Sequence, residues 1–152
     1  MTERKRLVIC LAALAGVVLA FAATVTAKTT APKTVVRIDL RARPSGGNPT
    51  GGSGTFTLRS GSIVDQGTSS YTFSGSTGTI TLMGKKGDLT LRTKSRPSGL
   101  EVDSQGLDLW VGTWSIAEGD GVYKGVHGVG AYVGIIGPAY AVALHFEGFR
   151  GG

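Results

Sequence analysis

The chain has 152 residues, enough for one domain rather than two. Of these, 25 are Gly, 17% are charged and 41% are hydrophobic. That charge content lies below the ~25% usual in soluble domains and argues against a protein of long surface helices. A mean hydropathy of +0.12, with recurring Val, Ile, Leu, Phe and Trp, argues against disorder. Glycines without a three-residue period exclude collagen.

The N-terminus has the layout of a secretory signal peptide. Arg4, Lys5 and Arg6 precede an apolar run from Leu7 to Ala23, and small residues follow, ending in Val25-Thr26-Ala27. Cleavage is expected after Ala27, giving a leader over 1–27 and a secreted, extracytoplasmic product. Cys10, the single cysteine, lies inside the apolar run, so the mature chain is expected to carry no thiol and no disulfide. Losing the leader removes three cations and one carboxylate and lowers the net charge from +6 to +4. Residues 28–33, with Pro32, read as a short linker before a domain over 34–152.

From Thr34 the hydrophobic period is two. Val36, Ile38, Leu40 and Ala42 alternate with Arg37, Asp39, Arg41 and Arg43, the pattern of a strand with one apolar face. The Gly- and Pro-rich 44–54 stretch reads as a loop. Further strands are expected over 55–60, with Phe56 and Leu58 on one face, over 62–66, and over 70–74, with Tyr71 and Phe73 on one side. Strands 79–83 and 88–94 are joined by Gly84-Lys85-Lys86-Gly87, a hairpin that sets Ile80 and Leu82 on the side of Leu89 and Leu91. Residues 96–105 read as a connection, followed by strands 107–111, 113–118, 123–133 and 139–149. No mature window supports a ten-residue helix. Many short strands imply a sandwich or barrel, and closure into a barrel removes exposed edges.

The most distinctive stretch is Trp114-Ser-Ile-Ala-Glu-Gly-Asp-Gly-Val-Tyr-Lys-Gly-Val-His-Gly-Val-Gly130. It resembles the W-x-I-x-x-G-x-G-x-Y-x-G-x-x-G-x-G block of the allene-oxide-cyclase-like and dirigent-like barrel proteins, including their small secreted bacterial relatives. The matching residues are Trp114, Ile116, Gly119, Gly121, Tyr123, Gly125, Gly128 and Gly130, and Gly54-Thr-Phe-Thr-Leu58 also looks like a strand of that group. The resemblance implies a single antiparallel barrel of about eight strands with a mostly apolar interior. Plant enzymes of the family cyclise an unsaturated fatty-acid epoxide, and dirigent members bind phenolic radicals and direct their coupling. The polar catalytic residues of neither branch match positions here, and Asp120 stands where relatives often carry a small hydroxyl residue. The resemblance therefore speaks to fold more than to activity.

A dinucleotide-binding reading fails on spacing. After Gly121 the next glycine is Gly125, after Gly130 it is Gly134, each one place late, and no helix follows. No Gly-x-Ser-x-Gly elbow exists. His145 and Glu147 share one face of the last strand, where a carboxylate can orient an imidazole as general base, but a hydrated outer face is the favoured reading. With His127 they would make at most three ligands, and no metal or cofactor is expected. Tyr123 can offer a phenol, with Lys124 a solvated charge beside it. Trp110 and Trp114 are placed on opposite faces, one lining a cavity and the other covering an end, unless Gly112 breaks the strand. Ligand candidates are thus Tyr123, Trp114, Trp110, His127, His145 and Glu147. Arg37, Arg41 and Arg43 on one strand, and Arg92, Lys94 and Arg96 on another, form one basic patch if adjacent. Lacking interleaved aromatics, such a patch suits anionic envelope polymers rather than nucleic acid.

The expectation is a secreted barrel that binds a small apolar or aromatic molecule, with membrane contact only through the leader and homo-oligomers allowed. Two rivals stand beside it. One is a non-catalytic envelope protein with a basic polymer-contacting face, and the other a barrel enzyme that guides cyclisation or coupling by shape.

Overall fold

The computed structural model describes residues 33–46, 50–101, 108–137 and 142–151. The expected leader, Cys10 and most of the linker lie outside the described residues, as do 47–49, 102–107 and 138–141. Eight antiparallel strands close into one barrel in chain order. They are β1 (Thr34–Pro44), β2 (Gly51–Ser60), β3 (Ile63–Ser74), β4 (Thr77–Gly84), β5 (Asp88–Glu101), β6 (Asp108–Gly119), β7 (His127–Ile136) and β8 (Val142–Gly151). A 3-10 turn, Gly121–Tyr123, joins β6 to β7. Closure comes from β1 pairing with β8, where Ile38 faces Phe146 and Leu40 faces Leu144.

The period-two reading holds wherever it was strongest. Val36, Ile38, Leu40, Ala42, Phe56, Leu58, Ile80, Leu82, Leu89 and Leu91 all point inward and are buried. Ile80 pairs with Leu91 and Leu82 with Leu89 across the Gly84–Gly87 hairpin. The outer faces of β1 to β5 are rich in Thr, Ser, Arg and Lys. Apolar inside and polar outside is the reverse of an outer-membrane barrel, whose lumen is the polar side.

Strand boundaries differ from the sequence reading because glycine here marks close backbone approach rather than chain reversal. The expected 62–66 and 70–74 strands are one continuous β3 through Gly67, and the 107–111 and 113–118 strands are one β6 through Gly112. β2 starts at Gly51, inside the expected loop, and β5 runs on through Arg96, where a connection was expected. Ten short segments thus become eight longer strands. Trp110 and Trp114 need correcting with them. Residues four apart on an unbroken strand share a face, and both tryptophans point inward.

Inside, large aromatics lie directly across from glycines. Trp114 pairs with Gly130 and Tyr132 with Gly112 across β6–β7, Phe73 with Gly78 across β3–β4, and Tyr71 with Gly52 across β2–β3. The Trp114 indole covers two glycines. A Cβ on Gly130 would stand 2.6 Å from its Nε1, and one on Gly148 would stand 2.7 Å from its Cζ2. The indole N–H donates to the carbonyls of Ala131 and Glu147 at 3.1 and 3.2 Å, so its one polar group is satisfied.

Gly130→Ala and Gly148→Ala are each expected to lower stability by roughly 1–3 kcal/mol, because a packed indole and backbone must move aside. Gly51→Ala, whose added methyl meets only ordinary contact with Tyr71 O at 3.5 Å, is expected to stay within about 0.5 kcal/mol. Urea unfolding of the three variants checks the contrast.

Candidate functional site

The two ends of the barrel differ in kind. At one end lie the β2–β3 and β4–β5 hairpins and the 3-10 turn. This end is closed by a buried carboxylate. Asp65, inward on β3 and 3% exposed, accepts the Tyr123 phenol at 2.9 Å and the backbone N–H groups of Gln66, Lys85 and Lys86 at 2.8, 3.1 and 3.2 Å. Gly84 is what lets the hairpin approach, because a Cβ there would collide with the Asp65 carboxylate. Nearby, the Asp120 carboxylate accepts Asp88 N–H at 2.6 Å, and Arg150 Nε donates to Ser60 Oγ. Burial alone would raise the Asp65 pKa. The phenol and the three N–H donors outweigh burial and hold it below the usual carboxylate range. Burial, and then the Asp65 carboxylate, push the Tyr123 phenol far above its ordinary value. Every acceptor site here is used internally, so the arrangement is a clamp that fixes two connections.

The middle of the barrel is filled, with Ile38, Leu58, Ile80, Leu91 and Phe146 at most 1% exposed. The opposite end, where β1, β3, β5 and β7 finish, is not filled by the described residues. A cavity of about 260 Å³ lies there among Thr50, Phe73, Gly75, Ser95, Trp110, Tyr132, Ile136, Val142 and Leu144. Tyr132 stacks on Phe146 at a centroid distance of 5.1 Å, which anchors the ring between core and cavity. Burial raises the Tyr132 pKa above its ordinary value, so the phenol stays neutral at physiological pH. Trp110, Phe73 and Ile136 are half-buried, so the cavity reaches solvent. Its lining offers aromatic and aliphatic walls with a phenol and the Ser95 and Thr50 hydroxyls. It contains no carboxylate and no imidazole among the described residues.

The sequence candidates scatter over this frame. Trp110 lines the cavity. Trp114 lies deeper, over its glycines, and Tyr123 is buried at the clamped end. His127 is exposed at the start of β7. His145 and Glu147 share one face as expected, and that face is the outside. Glu147 pairs with Arg37 at 2.8 Å and His145 Nδ1 with Asp39 at 2.7 Å, both across the β1–β8 seam. Arg37, Arg41 and Arg43 point outward on β1, and Arg92, Lys94 and Arg96 outward on β5. β1 and β5 are four strands apart in a ring of eight, so the two basic runs flank the barrel and do not merge into one patch. No group of three or more His, Cys, Asp or Glu among the described residues is placed to hold a metal ion.

Sequence reasoning missed Tyr132, Phe73, Ser95, Ile136, Val142 and Leu144 as cavity residues. Parity around Gly130 would have set Tyr132 and Ile136 on the inner face of β7, had its start been placed at His127 rather than Tyr123. Asp65 carried no signal, since three of its four donors are supplied from 20 to 58 residues away. A scan of family models finds no match to the chain, and neither curated proteins nor solved structures supply a similar one.

Tyr123→Phe is expected to cost about 1–3 kcal/mol by leaving a buried carboxylate oxygen without its donor. The pH dependence has two limbs. A lowered Asp65 pKa stabilises the fold above the ordinary carboxylate value of 3.8, and that stability is lost as pH falls below it through the depressed value. A raised Tyr123 pKa gives stability fully present below the ordinary phenol value of 10.0, and lost as pH rises from there toward the raised one. Denaturant midpoints measured across pH should show both limbs, with the acid limb reduced in Asp65→Asn and the alkaline limb reduced in Tyr123→Phe.

Proposed function

We propose that the protein binds a small, uncharged aromatic or apolar molecule in the cavity at the open end of the barrel. The observation that carries this reading is the cavity itself. It is a preformed hollow of about 260 Å³, walled by Trp110, Phe73, Tyr132, Ile136, Val142 and Leu144, with few polar groups on one side. That volume lies just under the ~300 Å³ lower bound usual for small-molecule sites, which favours a one-ring ligand. The Tyr132 phenol and Ser95 hydroxyl supply a donor and an acceptor that suit one hydroxyl or carbonyl of the guest. Secretion, read from the leader-like N-terminus, and kinship with the allene-oxide-cyclase-like and dirigent-like barrels accord with such a role and belong to the same proposal.

The enzyme reading draws less support. Its best general-base pair, His145 and Glu147, stands on the outer wall, each engaged with a β1 partner. The polymer-binding reading rests on Arg37, Arg41 and Arg43, and the second basic run on β5, four strands away, does not extend that face.

Titration with 4-methylphenol and with toluene, followed by tryptophan fluorescence and calorimetry, tests the proposal. Both are expected to bind. Tyr132→Phe is expected to weaken the phenol about five- to tenfold through the lost hydrogen bond and to leave toluene unchanged. Leu144→Trp, which fills the hollow, is expected to abolish both. Absence of binding by either compound to the unaltered protein would remove the reading.

A further inference from the structure

β7 differs from the other strands in its outer face. Beyond His127, Val129, Ala131, Val133 and Ile135 make that row apolar, although it faces solvent. Across the ladder, Val129 continues through Phe149 on β8 to Val35 on β1. Val129 is 64% and Phe149 51% exposed. Five of the eight large exposed hydrophobics of the described residues fall in this one region, while Val64, Met83 and Val122 lie elsewhere. Contiguity of this kind on a soluble surface marks a place where something docks.

The surroundings of the stripe say what. Small residues beside β7 leave a furrow on each side. One has Val111, Ala131 and Val133 as its floor and Lys94 and Arg96 as its wall. The other has Ile135 and Ala143 as its floor and Arg41 and Arg43 as its wall. The ladder explains the symmetry, because β5 and β1 each lie two strands from β7. Two carboxylates beside the ridge, Asp39 and Glu147, are paired with His145 and Arg37, and Glu118 lies toward the clamped end of β6. The result is an apolar ridge flanked on both sides by Arg41, Arg43, Lys94 and Arg96, which make no ion pair among the described residues.

We propose that this face seats the barrel, side-on, against an anionic lipid bilayer. The aliphatic row sinks to the headgroup–acyl boundary, and the flanking Arg and Lys reach lipid phosphates with their stems lying along apolar surface. A second copy of the chain fits poorly, because face-to-face packing would bring the Arg and Lys rows of both copies together. An acidic protein partner fits less well than lipid, because the ridge is small and aliphatic and lacks the Trp or Tyr anchors that centre protein interfaces. This contact is additional to the membrane contact expected of the leader, and it does not depend on the cavity's ligand.

The experiment uses the full chain in a Cys10→Ser background, with a single environment-sensitive fluorophore at Val129→Cys on β7 or, as control, at Thr68→Cys on β3 across the barrel. Phosphatidylglycerol-containing vesicles are expected to shift the Val129 probe to the blue and leave the Thr68 probe unchanged. Neutral phosphatidylcholine vesicles and high salt are expected to give little shift. Neutralising Arg41, Arg43, Lys94 or Arg96 is expected to weaken partitioning about fivefold per cation. Equal shifts at both sites would mean that the leader alone binds, and would overturn the proposal. So would no shift at Val129, an equal shift on neutral vesicles, or a shift that appears with rising protein concentration and no lipid.

Discussion

The pairing of an aromatic ring with a glycine across an inner rung is the constraint from which the rest of this barrel follows. An eight-stranded barrel has an interior only wide enough for side chains to fill, and a large ring needs room on a neighbouring strand; Tyr132, which stacks on Phe146 on one side, finds it over Gly112 on the other. Trp114 over Gly130, Tyr132 over Gly112, Phe73 over Gly78 and Tyr71 over Gly52 solve this four times, each time between directly registered neighbours. The glycine content that first reads as looseness is therefore a packing device. Where aliphatic residues occupy consecutive rungs, the lumen is solid. Where Tyr132, Trp110 and Phe73 gather at one end, their rings wall a hollow instead of filling it.

Closure of the ring draws on the same inner rungs. β1 and β8 lie at opposite ends of the described chain, and pairing them closes a long loop at an entropic cost. Burial of Ile38 against Phe146 and Leu40 against Leu144 offsets that cost. The outer rungs of the same seam carry Arg37–Glu147 and His145–Asp39. With side chains about half exposed or more, such pairs contribute little to stability. Their effect is on register, since a one-residue slip would part both pairs and turn Ile38 outward. The pair that looked catalytic in sequence is thus the outside of a seam.

How much of this was legible follows from which forces leave a local trace. Alternation does, and the inward residues of β1, β4 and β5 were readable one by one. The role of glycine does not, because Gly67 and Gly112 look in sequence like breaks, and only their partners across the ladder reveal close approach. The site suffered from parity as well. Trp110 and Trp114 are four apart and share a face of the continuous β6, not opposite ones, and with β7 begun at Tyr123 the parity that places Tyr132 inward was obscured. The Asp65 clamp was invisible in principle. A single aspartate in a run of Gln, Gly, Thr and Ser is indistinguishable from a solvated one until the hairpin at Gly84 and the phenol of Tyr123 are folded over it.

The arrangement separates duties that compete when they share a site. Buried polar groups stabilise only if every donor and acceptor is matched. At the clamped end Asp65 is matched by four donors supplied from three separate stretches of chain, which ties β3, the β4–β5 hairpin and the β6–β7 turn into one unit. A hollow has the opposite requirement, since it forgoes the packing that would fill it. Setting the hollow a full barrel length from the clamp lets the filled middle insulate one from the other. Residues around the open end can then vary in size without disturbing Asp65, whereas a substitution at Gly84 strikes the clamp at once. The barrel can thus be retuned at one end while its architecture is held from the other.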